Sequence, residues 1–228
     1  MGALTFAYLK EMVKTRLGNN ASWSAAGDSS LDYYGIWVNS AYRMLCSQDK
    51  VLGLPKKLYF PELLTSTTKT TTDGTAYVSV PSDVLYITEV YDTTHNVRLT
   101  NIPWKQYIEY TDRTTTTAES DPTEWVRYSG YIYLHPTPQT TGDTMTIYYK
   151  KRPADLSGTL TTVLGAEWDD VIVELATYKA FIWTHDYPKA EFCKAAFLEM
   201  AAGLADNAKL EEKDREASLG PSTAYLGK

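Results

Sequence analysis

The apolar residues Phe6, Leu9, Val13 and Leu17 recur three and four positions apart, which places them on one face of a helix from Thr5 to Leu17. Thr5 can cap its start by accepting from a free amide, and Gly18 suits the left-handed turn that ends a helix. A Ser/Ala/Gly/Asn stretch follows. Asp28, Ser29 and Ser30 then offer caps for a second helix whose stripe runs Leu31, Tyr34, Trp37 or Val38, Ala41 and Leu45. The two helices can pack as a hairpin, and Pro55 discourages helix at the residue before it.

From Lys56 to about Pro153 the helical period gives way to short runs rich in Val, Ile, Tyr and Thr. These predict strands over Ala76–Val80, Val84–Tyr91, Val97–Thr100, Glu124–Tyr128, Tyr131–His135 and Thr144–Lys151. Asp73-Gly74, Ser129-Gly130 and Gly142-Asp143 read as hairpin signals between them. Pro103–Tyr110 suits one or two helical turns, and the polar tract Thr111–Ser120 suits an exposed loop. From Glu167 the helical period returns through Trp168, Val171, Ile172, Leu175, Ala176 and Lys179-Ala180 to Trp183, and breaks near Asp186–Pro188. A final long helix is expected to bury Phe192, Ala195 or Ala196, Leu198 or Met200, and Leu204, and to end near Ser218. The Gly/Pro-interrupted end from Gly220 to Lys228 is not helical.

The resulting fold class is α+β: an antiparallel helical bundle formed by the N- and C-terminal segments, with an inserted small antiparallel β-sandwich or barrel. The expected divisions are 1–55 and 154–217 for the bundle helices, 56–153 for the β domain, and 218–228 for an extended C-terminal arm. The expected boundaries are the linker from Gly18 to Asp28 and the loop from Pro153 to Gly165.

Composition narrows the function classes. A chain of 228 residues with 43% hydrophobic residues can bury its cores without disulfides or metals. Its 18 tyrosines favour half-buried strands and amphipathic contact surfaces. A formal charge of -6 opposes a strong grip on nucleic acid, which needs clustered Lys and Arg. Cys46 and Cys193 fall in helical segments, where a free thiol behaves as a small hydrophobe. No apolar run approaches a membrane span and no signal pattern opens the chain, so synthesis in a cytoplasm is expected.

Candidate chemistry is sparse. His95, His135 and His185 lie far apart with none of the paired spacings common in metal sites. The chain has no phosphate-binding loop, nucleophile elbow, His-Glu-x-x-His or Cys-x-x-Cys. Asp169, Asp170 and Glu174 form an acidic group that a hydrolase could use through Asp169 or Asp170, but carboxylates in a first helical turn are read as a solvated face complementing the macrodipole. Tyr128, Tyr131, Tyr133, Tyr148 and Tyr149 could stack on bases or sugars, although Arg127, Lys150, Lys151 and Arg152 are too few for a nucleic-acid groove. Core and interface packing accounts for these aromatics better. No catalytic residue, metal ligand or cofactor is therefore assigned.

The order and wording of the segments resemble the head-to-tail adaptor family of phage connectors, similar to tail tubular protein A of short-tailed phages. The resemblance is carried by Leu4-Thr5-Phe6 to Arg16-Leu17-Gly18 and by Ile36-Trp37-Val38-Asn39-Ser40-Ala41-Tyr42-Arg43. It continues in Val80-Pro81-Ser82-Asp83-Val84-Leu85-Tyr86-Ile87 and in Asp121-Pro122-Thr123-Glu124-Trp125 through Tyr131-Ile132-Tyr133-Leu134-His135-Pro136-Thr137-Pro138. Met145-Thr146-Ile147-Tyr148-Tyr149-Lys150-Lys151-Arg152-Pro153 with Leu156 completes it. The Thr-rich stretches Thr65–Thr75 and Thr111–Thr117 depart from the pattern.

The resemblance implies a non-enzymatic protein of the virion neck. It would form a homo-oligomeric ring of about twelve subunits closed by a heterologous interface, between the portal protein and a downstream tail or nozzle protein. DNA would pass through the channel without tight binding. The implied portal contacts are Pro221, Tyr225 and Leu226 of the C-terminal arm, and the implied tail-side contacts are Lys69, Asp73, Arg113 and Glu119 at the β tips. A receptor- or glycan-binding tail-fibre or baseplate module is the alternative.

Overall fold

The computed structural model describes residues 3–19, 31–47, 51–55, 58, 60–113 and 119–218. They form five α-helices and two four-stranded sheets, an α+β fold with no closed barrel among the described residues. The chain divides into two compact units, one drawn from residues 1–61 and 153–228 and the other from 62–152.

In the first unit, α1 (Phe6–Arg16) starts where Thr5 Oγ1 accepts from the Tyr8 amide and stops at Gly18, whose φ of +80° is cheap only for glycine. The cap of α2 (Tyr33–Ser47) is Asp32, whose Oδ1 accepts from the Gly35 amide at 3.0 Å while its Oδ2 accepts from Lys10 at 2.6 Å. The caps expected at Asp28, Ser29 and Ser30 lie outside the described residues. Leu31, expected on the buried stripe, is half exposed because it precedes the helix.

α4 (Asp169–Trp183) packs against α1, α2 and the long α5 (Tyr187–Ser218). This placement explains why Val171, Ile172, Val173, Leu175, Ala176, Thr177 and Ala180 are buried on nearly every side. On α5 the buried stripe is Ala190, Cys193, Phe197, Ala201 and Ala205. The expected face, led by Phe192, is rotated about 100° from it, roughly one residue of helix. The segment 153–165 is fastened rather than loose: Leu156 and Asn39 exchange two hydrogen bonds, and the Leu160 carbonyl accepts from Phe6.

Asp169 corrects the expectation of a solvated acidic face. It is buried, its Oδ2 accepts from the Leu4 amide at 2.6 Å, and its Oδ1 has no partner. Burial raises its carboxyl pKa above the ordinary value, and the hydrogen bonds only partly oppose this. A raised folded-state pKa means the folded protein binds more protons than the unfolded one just above about pH 3.9. The stabilisation is therefore complete below that pH and is lost as pH rises through the folded value. In thermal unfolding at pH 3.5 and pH 7, the stability of the wild type relative to Asp169→Asn should fall between the two. A difference independent of pH would contradict this assignment.

In the second unit, β1 (Leu64–Thr70), β8 (Thr144–Lys151), β3 (Val84–Asp92) and β4 (Val97–Arg98) form one sheet in that order. The other sheet is β2 (Tyr77–Ser79), β7 (Tyr131–His135), β6 (Glu124–Tyr128) and β5 (Thr100–Asn101). Val78, Val90, Trp125, Ile132, Leu134, Met145 and Ile147 from both sheets share one core, so the sheets pack face to face. Helix α3 (Trp104–Arg113) covers the second sheet through Tyr107, which clusters with Ile102 and with Val126 of β6, and it takes the first residues of the tract expected to be loop.

Three expectations change here. Of the three expected hairpin signals, only Ser129-Gly130, with φ of +46° and +86°, closes a hairpin between paired strands; Asp73-Gly74 and Gly142-Asp143 carry the chain between sheets. The single strand expected at Val97–Thr100 is two: buried Leu99 turns the corner from β4 in one sheet to β5 in the other, where pairing with β6 is parallel. Finally, β1 was not expected at all.

Candidate functional surfaces

Backbone hydrogen bonds gather several loops at one end of the β unit. Thr71 and Gly142 are joined amide to carbonyl, the Asp73 amide donates to Thr141 Oγ1, and the Gly74 amide donates to the Pro138 carbonyl. Glu119 bridges Thr137, and its carboxylate lies beside Gly74. Lys69 enters the same end opposite Met145. The structure thus places Lys69, Asp73 and Glu119 at the same end of the β unit. Helix α3 starts at Trp104, stacked on Tyr128, and reaches Tyr110, stacked on His135, so its last residue, Arg113, is on the side of this end.

Tyr77, Tyr131 and Tyr133 form an aromatic row on the second sheet, with centroids of Tyr77 and Tyr131 4.9 Å apart. The largest ring beside them is already engaged: Trp104 stacks on Tyr128 at 3.9 Å and on Tyr107 at 5.2 Å. Desolvation raises the Tyr107 pKa, as expected for a phenol used in packing. These contacts cover Tyr133, whereas Tyr77 and Tyr131 remain 46% and 41% exposed.

The helical unit exposes a different surface. Trp183, Tyr187 and Phe192 cluster around the α4–α5 turn in sequence, and Phe192 is 77% exposed. One face of Trp183 rests on Tyr33 and Trp37 at 5.2 and 5.7 Å. Beside Phe192 runs a groove of about 560 Å³ lined by Arg16, Glu174, Thr177, Phe181 and Cys193. Arg16 pairs with Glu174. The Cys193 thiol is pushed up to about 11, chiefly by burial and then by Glu174, so it stays protonated and is a poor nucleophile. Sequence reasoning missed this surface because it placed Phe192 inward. The signal available was the Ala190, Cys193, Phe197, Ala201 spacing, which defines a stripe that excludes it.

Pro221, Tyr225 and Leu226 lie outside the described residues. No helix among the described residues is long and apolar enough to cross a membrane. No curated protein matches the chain. The SU10 adaptor protein family matches residues 4–223, from the first strand-like residues before α1 to beyond the end of α5. Two separate helical arms of sequence around an inserted sandwich are therefore spanned by one match, and the chain belongs to the SU10 adaptor protein family, a phage head-to-tail adaptor family.

Proposed function

We propose that the protein is a structural component of a phage neck, a ring that joins the portal to the next tail component and leaves a conduit for DNA. The near full-length family match carries this reading. In it, helices from 1–55 and 154–217 form an antiparallel bundle facing the portal, and the β domain of 56–153 presents Lys69, Asp73, Arg113 and Glu119 to the tail. The ring of about twelve copies closes through heterologous contacts, in which one patch meets a different patch on the neighbour. The exposed aromatics of the α4–α5 turn suit the apolar half of such a contact. A chain with net charge -6 also suits a channel through which phosphates slide. The function requires no catalysis and no resident cofactor.

The C-terminal residues 218–228 act as the portal-binding arm, with Pro221, Tyr225 and Leu226 as apolar anchors. Burying Tyr225 and Leu226 contributes roughly 3 to 5 kcal/mol per arm before ordering costs, and a ring multiplies the effect through effective concentration. Negative-stain imaging of the purified protein with and without its portal tests the proposal. The expected result is a subunit that is wholly or largely monomeric alone and ring-shaped density on the portal. Deleting 220–228 should leave the melting temperature nearly unchanged and abolish attachment. Normal occupancy by the truncated protein would eliminate the arm, and no density on any portal would eliminate the neck assignment.

A further inference from the structure

At the loop end of the β unit, three chain segments distant in sequence deliver one histidine and three aspartates to the same place. Asp92 ends β3 and is completely buried. Its Oδ1 accepts from the Thr94 and His95 amides at 2.9 and 3.1 Å, which shapes the loop between β3 and β4. Its Oδ2 lies 2.8 Å from His95 Nδ1. With the proton on Nδ1, this contact leaves the Nε2 lone pair available to a metal ion. Nε2 points toward Asp121 Oδ2 at 3.7 Å, while the other Asp121 oxygen is held by the Gln139 amide at 3.2 Å. Asp143 completes the group, and ligand atoms of His95, Asp121 and Asp143 all lie within 4.8 Å of one another.

We propose that His95, Asp121 and Asp143 bind a divalent transition-metal cation, best matched by Zn²⁺. Asp143 supplies the independent observation. Its residue is only 6% exposed, yet its carboxylate accepts no hydrogen bond and makes no ion pair with any described residue. Its carboxylate therefore has no donor among the described residues to satisfy it and faces His95 and Asp121, an arrangement that a bound cation would bridge. The Asp92–His95 contact is the second element of the design, because metal-binding imidazoles commonly donate their other N–H to a carboxylate.

One nitrogen and two carboxylate oxygens suit Zn²⁺ in a four-coordinate site, with water at the remaining position. Ligand atoms of a tetrahedral zinc site stand about 3.4 Å apart, so the observed spacings need to close by tenths of an ångström to somewhat over one ångström. The loops carrying them can make this adjustment, since His95 and Asp121 are partly exposed. Thr144 already ties the segments together: its amide donates to Thr94 Oγ1 and its carbonyl accepts from Thr93, each at 2.8 Å. The cation would cross-link the β3–β4 loop, the segment before β6 and the turn before β8. This role is separate from the ring assignment, since the site needs no partner.

The experiment is calorimetric titration of ZnCl₂ into the chelator-treated full-length protein, with Co²⁺ absorption to report coordination. The expected result is one Zn²⁺ per chain, a rise in melting temperature with added metal, and a four-coordinate Co²⁺ spectrum. His95→Gln and Asp143→Asn should each weaken binding by about 100-fold or more, and Asp92→Asn, which repositions the imidazole, by about 10- to 100-fold. Circular dichroism of each variant checks that the sandwich persists. Failure of the wild type to bind Zn²⁺ or Co²⁺ would overturn the proposal. So would octahedral Co²⁺, tighter binding of Mg²⁺ or Ca²⁺, or unchanged zinc binding in folded His95→Gln and Asp143→Asn.

Discussion

Ile147→Ala should destabilise the β unit by about 3 kcal/mol, within the usual 2 to 5 kcal/mol for removing a buried Ile side chain down to its Cβ. Ile147 is fully buried on β8, between Thr67 of β1 and Val90 of β3, and its side chain belongs to the core shared by the two sheets. For a unit of this size each kcal/mol moves the melting temperature by about 4 to 8 °C, so a fall of about 12 to 24 °C is expected. Tyr148, one residue on, points to the opposite face and is 44% exposed. Tyr148→Ala should therefore cost much less. Thermal melts of the two variants test the register directly, because a slip of one residue would exchange their effects. Equal losses, or a larger loss for Tyr148→Ala, would refute the assigned pairing.

Phe192→Asp should abolish ring formation on the portal while changing subunit stability by less than about 0.5 kcal/mol. The side chain is the most exposed large apolar group among the described residues, so the subunit loses almost nothing when it is replaced. At a subunit contact the same change removes roughly 2 kcal/mol of apolar burial and adds the cost of desolvating a carboxylate, at every interface of the ring. Phe192→Leu keeps the apolar contact and should assemble. Portal occupancy measured by imaging, together with melts of both variants, separates these effects. Full occupancy by Phe192→Asp would remove the α4–α5 turn from the interface.

The strands and helices most legible in the sequence are those whose pattern is set by a single buried face. The stripe of α1, the alternation of Tyr131–His135 and the Ser129-Gly130 turn each follow from local chemistry, and the structure places them at or within a residue or two of expectation. Strand β1 escaped because Leu64–Thr70 has no buried position; its threonines favour extended backbone, but only pairing with β8 makes them a strand. On α5 the abundance of apolar residues allowed two stripes, and contact with α4 selects between them. The chemical group around His95 was the least legible. Asp121 and Asp143 are distant in sequence, and only the path of the chain between two sheets brings them to the histidine. The local pair Asp92 and His95, three residues apart in a turn, was its one visible trace.

The two connections of the β unit also set how it bears mechanical load. The chain enters the unit just before β1 and leaves it just after β8, and these strands are antiparallel neighbours with Leu64 opposite Lys150. Tension along both connections would therefore pull at the same end of one ladder. The hydrogen bonds from Leu64–Lys150 toward Thr70–Thr144 would then open in succession, as a zipper does, rather than shear all at once. In the proposed ring, load carried by contacts between neighbouring subunits would bypass these two connections and spare the ladder.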